Sequence, residues 1–301
     1  MKLLPLPGLI LVAALLGACA APVAKKPAVV AAPVTAPPPA SVAAGPAPDD
    51  NLNAVAWTQT SVEHDLIYRE VYRNATDRLD HALADRSWDA LPHEERTGPL
   101  RGLKPAIILD IDETVLDNTP YAVRRMREGK GYESASWRQW CEEKAAKPLP
   151  GALEFTRHAA SRGVTVFYVT NRSHDVTDAT IANLREQGFP LAAGEDVVLA
   201  LGTVVPGCEP SGSDKGCRRR LVAQHYRVLM QFGDQLGDFV DVRDNTPAGH
   251  RAAVAPYLGW VGERWFVLPN PTYGAWEAVL FGNDWKLPPE QRRALKYSNM
   301  H

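Results

Sequence analysis

The chain has 301 residues, of which 45% are hydrophobic and 23% charged, so it can bury one large core or two small ones. That balance excludes an intrinsically disordered protein as a whole. A formal net charge of −2 gives no basic surface, so no nucleic-acid polymer is expected as a partner.

The first segment is "MKLLPLPGLILVAALLGAC", with one Lys, an apolar stretch from Leu3 to Leu16 and then small residues. It reads as a secretory signal over residues 1–18, too short and wrongly flanked for a spanning helix. Its end, "LLGAC", resembles a bacterial lipobox, in which Cys19 is acylated and becomes the first residue. The alternative is an ordinary signal cut at the nearby "ACA". Ala20 after the Cys, by resemblance to sorting in Gram-negative cells, implies the outer membrane. Residues 19–50 are dominated by Pro, Ala and Val and read as an extended tether, at about 3 Å per residue, holding the domain at 51–301 off a membrane.

Apolar residues recur at helical spacing from Ala54 to Ala84, at Leu66, Ile67, Val71, Tyr72, Ala75, Leu79 and Leu83. Strand-like runs follow at 106–111, 164–171, 196–201, 228–234 and 264–270, with helical patterns at 151–162, 175–187 and 216–226 between them. This alternation predicts an α/β fold, a mainly parallel sheet with helices on both faces. The continuous apolar runs agree, since a strand buried on both faces needs no alternation. More than forty residues separate the first two strands, more than one crossover needs, and the stretch 119–150, with 51–100, is expected to form cap elements over a site.

Cys208 and Cys217 bracket a Gly/Ser-rich loop, and export permits a disulfide there. Cys141 falls in a helical stretch and reads as a packed thiol. No Cys-x-x-Cys pair suggests zinc, and the eight histidines show no ligand spacing; His158, His174, His225 and His250 read as surface or packing residues.

The chemistry lies where strands end. "AIILDIDETVLDN" runs from four apolar residues into Asp110, Asp112, Glu113 and Asp117. The second strand ends in Thr170 and Asn171, and the fourth in "GDQLGD", with Asp234 and Asp238. Ligands of open parallel sheets bind beyond the carboxyl ends of strands. In an extended backbone Asp110 and Asp112 point to one side, and two carboxylates in one space repel. A hard cation with all-oxygen ligands, Mg²⁺, together with a phosphate, resolves that conflict. Each acid alone also suits a cap or turn, but the set at separate strand ends does not.

"ILDIDETVLDN", "VFYVTNR", "DKGCRRR" and "FGDQLGDF" resemble the four motifs of the haloacid dehalogenase superfamily. More narrowly, with "AVAWTQTSVEHD", "SWRQWCEEKAAKPLPGALEFT" and "RWFVLPNPTYGAWE", they resemble class C acid phosphatases, the outer-membrane lipoprotein e group, over residues 52–285. The resemblance implies a haloacid dehalogenase-like Rossmannoid sheet with a helical cap, and an Mg²⁺-dependent phosphatase. In it Asp110 is the nucleophile and Asp112 the general acid, then base. Thr170, Asn171 and Lys215 hold the phosphoryl group, and Asp110, Asp234, Asp238 and the Asp112 carbonyl hold the metal. Because Asp112 starts protonated, activity at mildly acidic pH is implied.

The resemblance also implies small phosphorylated substrates, nucleoside monophosphates and aryl phosphates. Tyr132, Trp137 and Tyr273 are the candidates for stacking on them, although Trp137 and Trp140, three apart, equally suit helix packing. Arg218, Arg219 and Arg220 read as a solvated helix face. Two rivals stand beside the hydrolase, a ligand-binding surface lipoprotein without catalysis and a phosphotransferase on the same fold. Oligomeric state, a dimer included, is left open.

Overall fold

A computed structural model describes residues 49–210 and 212–300. The signal, Cys19 and all of the tether but Asp49 and Asp50 lie outside those residues. No described helix is long and apolar enough to cross a membrane.

The expected 54–84 helix is two: α1 (Leu52–Thr60) and α2 (Val62–Ala84). The break is Ser61, whose extended backbone lets its hydroxyl cap α2 by accepting from the His64 N–H at 3.1 Å. The buried stripe of α2 is Tyr68, Tyr72, Ala75, Leu79 and Ala82, whereas Leu66 and Ile67 are exposed. Tyr68 belongs to the stripe because its ring is apolar while its hydroxyl bonds the Glu113 carbonyl.

β1 (Lys104–Leu109) is the central strand. A two-residue ribbon of β2 (Leu116–Asp117) and β3 (Lys147–Pro148) flanks α3 (Thr119–Arg127) and α4 (Ser134–Glu143), which together form the long insertion before α5 (Ala152–Ser161). β4 (Thr165–Ser173), α6 (Thr177–Gln187), β5 (Val198–Leu201), α7 (Gly216–Ala223) and β6 (Tyr226–Gly233) follow. The chain then passes α8 (Pro247–Val254), β7 (Trp265–Val267), α9 (Ala275–Ala278) and α10 (Pro289–Asn299).

The five-stranded sheet has the order β5-β4-β1-β6-β7 and every pairing is parallel, as the sequence pattern requires. All of β6 is buried, and its two polar side chains, Arg227 and Gln231, donate to the carbonyls of Ala82 and Ala90. The chain moves outward from β1 through β4 to β5, then returns to β6 and moves outward to β7. The direction reverses between β1 and β6, and a crevice opens at their carboxyl ends.

α2 is a layer of the core rather than only a cover. It packs on β6, β7 and α5, and Tyr72 stacks on Phe232 with ring centroids 5.6 Å apart. Phe232 also meets Phe155 at 4.8 Å and Phe266 at 4.9 Å, so one ring ties α2, α5, β6 and β7 together one residue before the site loop begins. Phe232→Ala is expected to destabilise the fold by about 3–5 kcal/mol. A urea unfolding midpoint equal to that of wild type would show that this cluster does not hold the sheet.

Candidate active site

Three strand ends and one helix start converge on the crevice. Asp110 follows β1, and its N–H donates to the Phe232 carbonyl at 3.0 Å, so it is locked to β6 beside it. Asp234 follows β6, and a short turn returns Asp238 beside it. That turn packs so tightly that a Cβ on Gly233 would lie 2.2 Å from Asp238 Oδ2, which is why glycine stands in "FGD". Lys215 is the residue that precedes α7, and its Nζ donates to Asp110 Oδ1 and, at 2.6 Å, to Asp238 Oδ1.

Asp110, Asp234 and Asp238 each bring a carboxylate oxygen to within 4.8 Å of the others. Three acids against one ammonium leave excess negative charge in a buried place. Burial, then Asp238, pushes the Asp234 carboxyl up to about 7, and burial likewise raises Asp110 well above the usual carboxylate range. Burial alone would lower the Lys215 pKa, but Asp110 and Asp238 outweigh it and raise it. A crowded all-oxygen set with surplus charge fits a hard divalent cation. Asn270 and Gln235 each donate to Asp234 Oδ2 at 2.8 Å and orient it.

Asp112 is held differently. The strand ends at Leu109 and Glu113 adopts φ 53°, so Asp110 and Asp112 are not the paired neighbours of one extended strand. Asp112 Oδ1 accepts from Arg172 Nε at 2.9 Å and Nη2 at 2.8 Å, and from Asn118 Nδ2 at 2.9 Å. Among the described residues, its side-chain hydrogen bonds all fall on Oδ1, and Oδ2 accepts none. Arg172 is buried, and Trp140 Nε1 donates to Asn118 Oδ1 at 2.8 Å behind it. Trp140 is therefore a core residue with a task in the site.

The other expected residues fall as follows. Asn171 lines the cavity, with Oδ1 accepting from Arg218 at 2.7 Å. Thr170 is fully buried, and its hydroxyl accepts from the Arg172 N–H at 3.1 Å. Tyr273 lines the cavity and donates its hydroxyl to Glu113. Tyr132 is 68% exposed and does not reach the cavity. Trp137 also stands off it, with the Arg172 guanidinium 5.6 Å from its ring. Helix α4 turns both of its tryptophans inward, and Tyr132 precedes the helix in open loop.

The expectation for the α7 arginines is overturned. Arg218 and Arg219 are buried rather than on a solvated face, because α7 lies between the strand-end loops and its arginines bond them. His250, half-buried at the cavity's edge, lies beside Asn245 with Nε2 and Oδ1 2.6 Å apart. Arg172, Asn118 and Asn270 were legible only as members of their motifs; no spacing assigned them a partner. The cavity, about 380 Å³, runs from Asp110 and Asp112 outward past Lys215 and Leu236 to Tyr273 and His250.

Cys208 and Cys217 form a disulfide, with Cα atoms 5.6 Å apart. Cys141 is free and buried, and burial pushes its thiol up to about 12. The bridge closes the loop that carries Lys215.

The comparisons fit this geometry. The model of the HAD superfamily, subfamily IIIB (acid phosphatase) matches residues 39–276. The chain is 28% identical over 171 residues to the stem 28 kDa glycoprotein of Glycine max, covering 56% of this chain and 60% of that one. It is 25% identical over 166 residues to acid phosphatase 1 of Solanum lycopersicum, covering 55% and 57%. The chain thus spans less than two thirds of these plant relatives. The structure of the class C acid phosphatase from Bacillus anthracis with tungstate bound superposes with a TM-score of 0.71 at 32% identity, covering 83% of this chain and 96% of that one. This chain belongs to the acid phosphatases of HAD subfamily IIIB.

Replacing both Cys208 and Cys217 by Ala is expected to cost about 3 kcal/mol, the entropy returned to a short loop in the unfolded chain. Unfolding curves of wild type that coincide with and without reductant would contradict it.

Proposed function

We propose that this protein is a Mg²⁺-dependent acid phosphatase that hydrolyses phosphomonoesters, nucleoside 5′-monophosphates and aryl phosphates among them, through an aspartyl-phosphate. One observation carries the reading: Asp110 sits at the switch point bonded to Lys215 inside an acidic cluster, and Asp112 stands in the same cavity with one oxygen left free.

Asp110, Asp234, Asp238 and the Asp112 carbonyl would hold the cation. Bound there, the ion supplies positive charge against the carboxylates and the phosphoryl oxygens. Asp110 attacks phosphorus and the bond to the leaving oxygen breaks, while Asp112 gives that oxygen its proton. Asp112 then takes a proton from water as the water attacks phosphorus, and the Asp110–phosphorus bond breaks to release orthophosphate. Lys215 screens the charge of Asp110 as an anion approaches it. Asn171, pinned by Arg218, is placed to donate its amide N–H to a phosphoryl oxygen.

For the leaving group, Tyr273 is the best-supported contact. Its hydroxyl is tied to Glu113, yet the residue stays 43% exposed, so the ring is held with a face available for an aromatic base. Such a wall tolerates many aromatic leaving groups. We also propose an acyl anchor at Cys19 and an outer-membrane location, on the strength of "LLGAC" and Ala20.

The test uses protein starting near Asp49 and measures phosphate release from a nucleoside 5′-monophosphate and an aryl phosphate at pH 5–6. The expected result is turnover with Mg²⁺, none with chelator, and a loss of about 10³-fold or more in Asp110→Asn. The rate should fall on the alkaline side, since Asp112 must enter protonated. An inactive wild type on both substrates with metal present would favour the binding-lipoprotein alternative. Transfer products formed with added alcohols would favour the phosphotransferase.

A further inference from the structure

Arg219 belongs to no step above, yet it is the most completely engaged cation of the described residues. It is fully buried, and its five N–H donors all have acceptors. Nε and Nη2 grip both oxygens of Glu95 at 2.8 and 2.6 Å. Nη2 also reaches Asp241 Oδ1 at 2.8 Å. Nη1 donates to the carbonyls of Gly237 at 2.9 Å and Asp238 at 3.1 Å.

These bonds close a ring around the place where Lys215 meets Asp238. The Arg219 N–H donates to the Lys215 carbonyl at 2.9 Å, so the two residues share the first turn of α7. Asp241 Oδ1, besides taking Arg219, accepts the Gly216 N–H at 3.0 Å. The approach there is close: a Cβ on Gly216 would lie 2.1 Å from Asp241 Oδ2. The N-terminus of α7 and the 237–241 loop are thus clamped from both sides, and the Lys215–Asp238 bond is the outcome. Glu95 anchors the clamp from the connection before β1, outside the four motifs.

A buried pair of this kind is a poor device for stability, since desolvation offsets most of the attraction. It is a good device for fixing direction, because a guanidinium donates in a rigid plane. We propose that Arg219, braced by Glu95 and Asp241, is a positioning residue that sets the Lys215 ammonium against Asp110 and Asp238 for the phosphoryl group. The turnover arm of its test rests on the phosphatase reading above; the labelling arm does not.

The experiment compares wild type with Asp241→Ala, Asp241→Asn and the double variant Glu95→Met/Arg219→Met. Asp241 is partly exposed, so its variants should fold. The double variant removes both members of the fully buried pair, and Asp241, which loses its Arg219 bond, keeps the Gly216 N–H and partial exposure. Two quantities are read: kcat and KM on an aryl phosphate with Mg²⁺, and the rate at which an amine-reactive acyl reagent labels Lys215, followed by peptide mass spectrometry. In Asp241→Ala, kcat should fall about tenfold with KM within about threefold, and Lys215 labelling should rise about tenfold. Asp241→Asn keeps the Oδ1 acceptor and should restore both. The double variant should melt near wild type and lose about 100-fold in kcat. Unchanged kcat and unchanged labelling in Asp241→Ala overturn the proposal, whether or not the double variant folds. If wild type shows no turnover, the phosphatase reading fails, and Lys215 labelling alone decides this one.

Discussion

Three carboxylates and one ammonium crowd the mouth between β1 and β6, and the rest of the structure answers to that conflict. Asp110 and Asp234 are brought there by adjacent strand ends, and Asp238 by a turn that only glycine at 233 allows. Lys215 bonds two of the three and still leaves surplus negative charge, seen in the raised Asp234. A sheet alone would not tolerate this arrangement. It is tolerable when a hard cation and an anionic phosphoryl group complete the charge pattern, and that is why the cluster reads as a site and not as a set of caps.

Around the conflict stand three buried guanidiniums, each aimed at a different part. Arg172 holds the Asp112 carboxylate, Arg218 pins Asn171 and the Thr170 carbonyl, and Arg219 braces the loop beneath Asp238. None touches solvent appreciably, so each acts through direction rather than through long-range attraction. The core continues the same logic one shell further out. Tyr68 and Tyr72 of α2 reach the carbonyls of Glu113 and Thr114, so the helix that fills the core also supports the turn after Asp110.

Much of this was legible in the sequence where one-dimensional pattern carries the physics. The apolar runs predicted all five parallel strands to within a few residues, because burial on both faces favours continuous apolar stretches, and in β6 only Arg227 and Gln231 interrupt them, each bonding a backbone carbonyl. Asp110, Asp234 and Asp238 were legible because acids gathered at separate strand ends do not suit caps and turns as a set, and Lys215 because it stands in the motif "DKGCRRR". What was not legible depends on three-dimensional partners. Ser61 resembles any helical serine until its cap is seen. Arg218 and Arg219 look like a charged helix face, and only the loops packed on α7 reveal the acceptors. Tyr132 and Trp137 are aromatics in the right insertion, but α4 turns Trp137 toward Arg172, and Tyr132 stays outside.

The most direct test of the central claim is a Mg²⁺ titration followed by calorimetry and by thermal unfolding, on wild type and on Asp234→Asn. If the acidic cluster exists to hold a cation, wild type binds one ion and its Tm rises with Mg²⁺ concentration, as linkage requires, while Asp234→Asn loses most of both effects. Equal, negligible responses in the two proteins would contradict the account and return the cluster to a purely structural role.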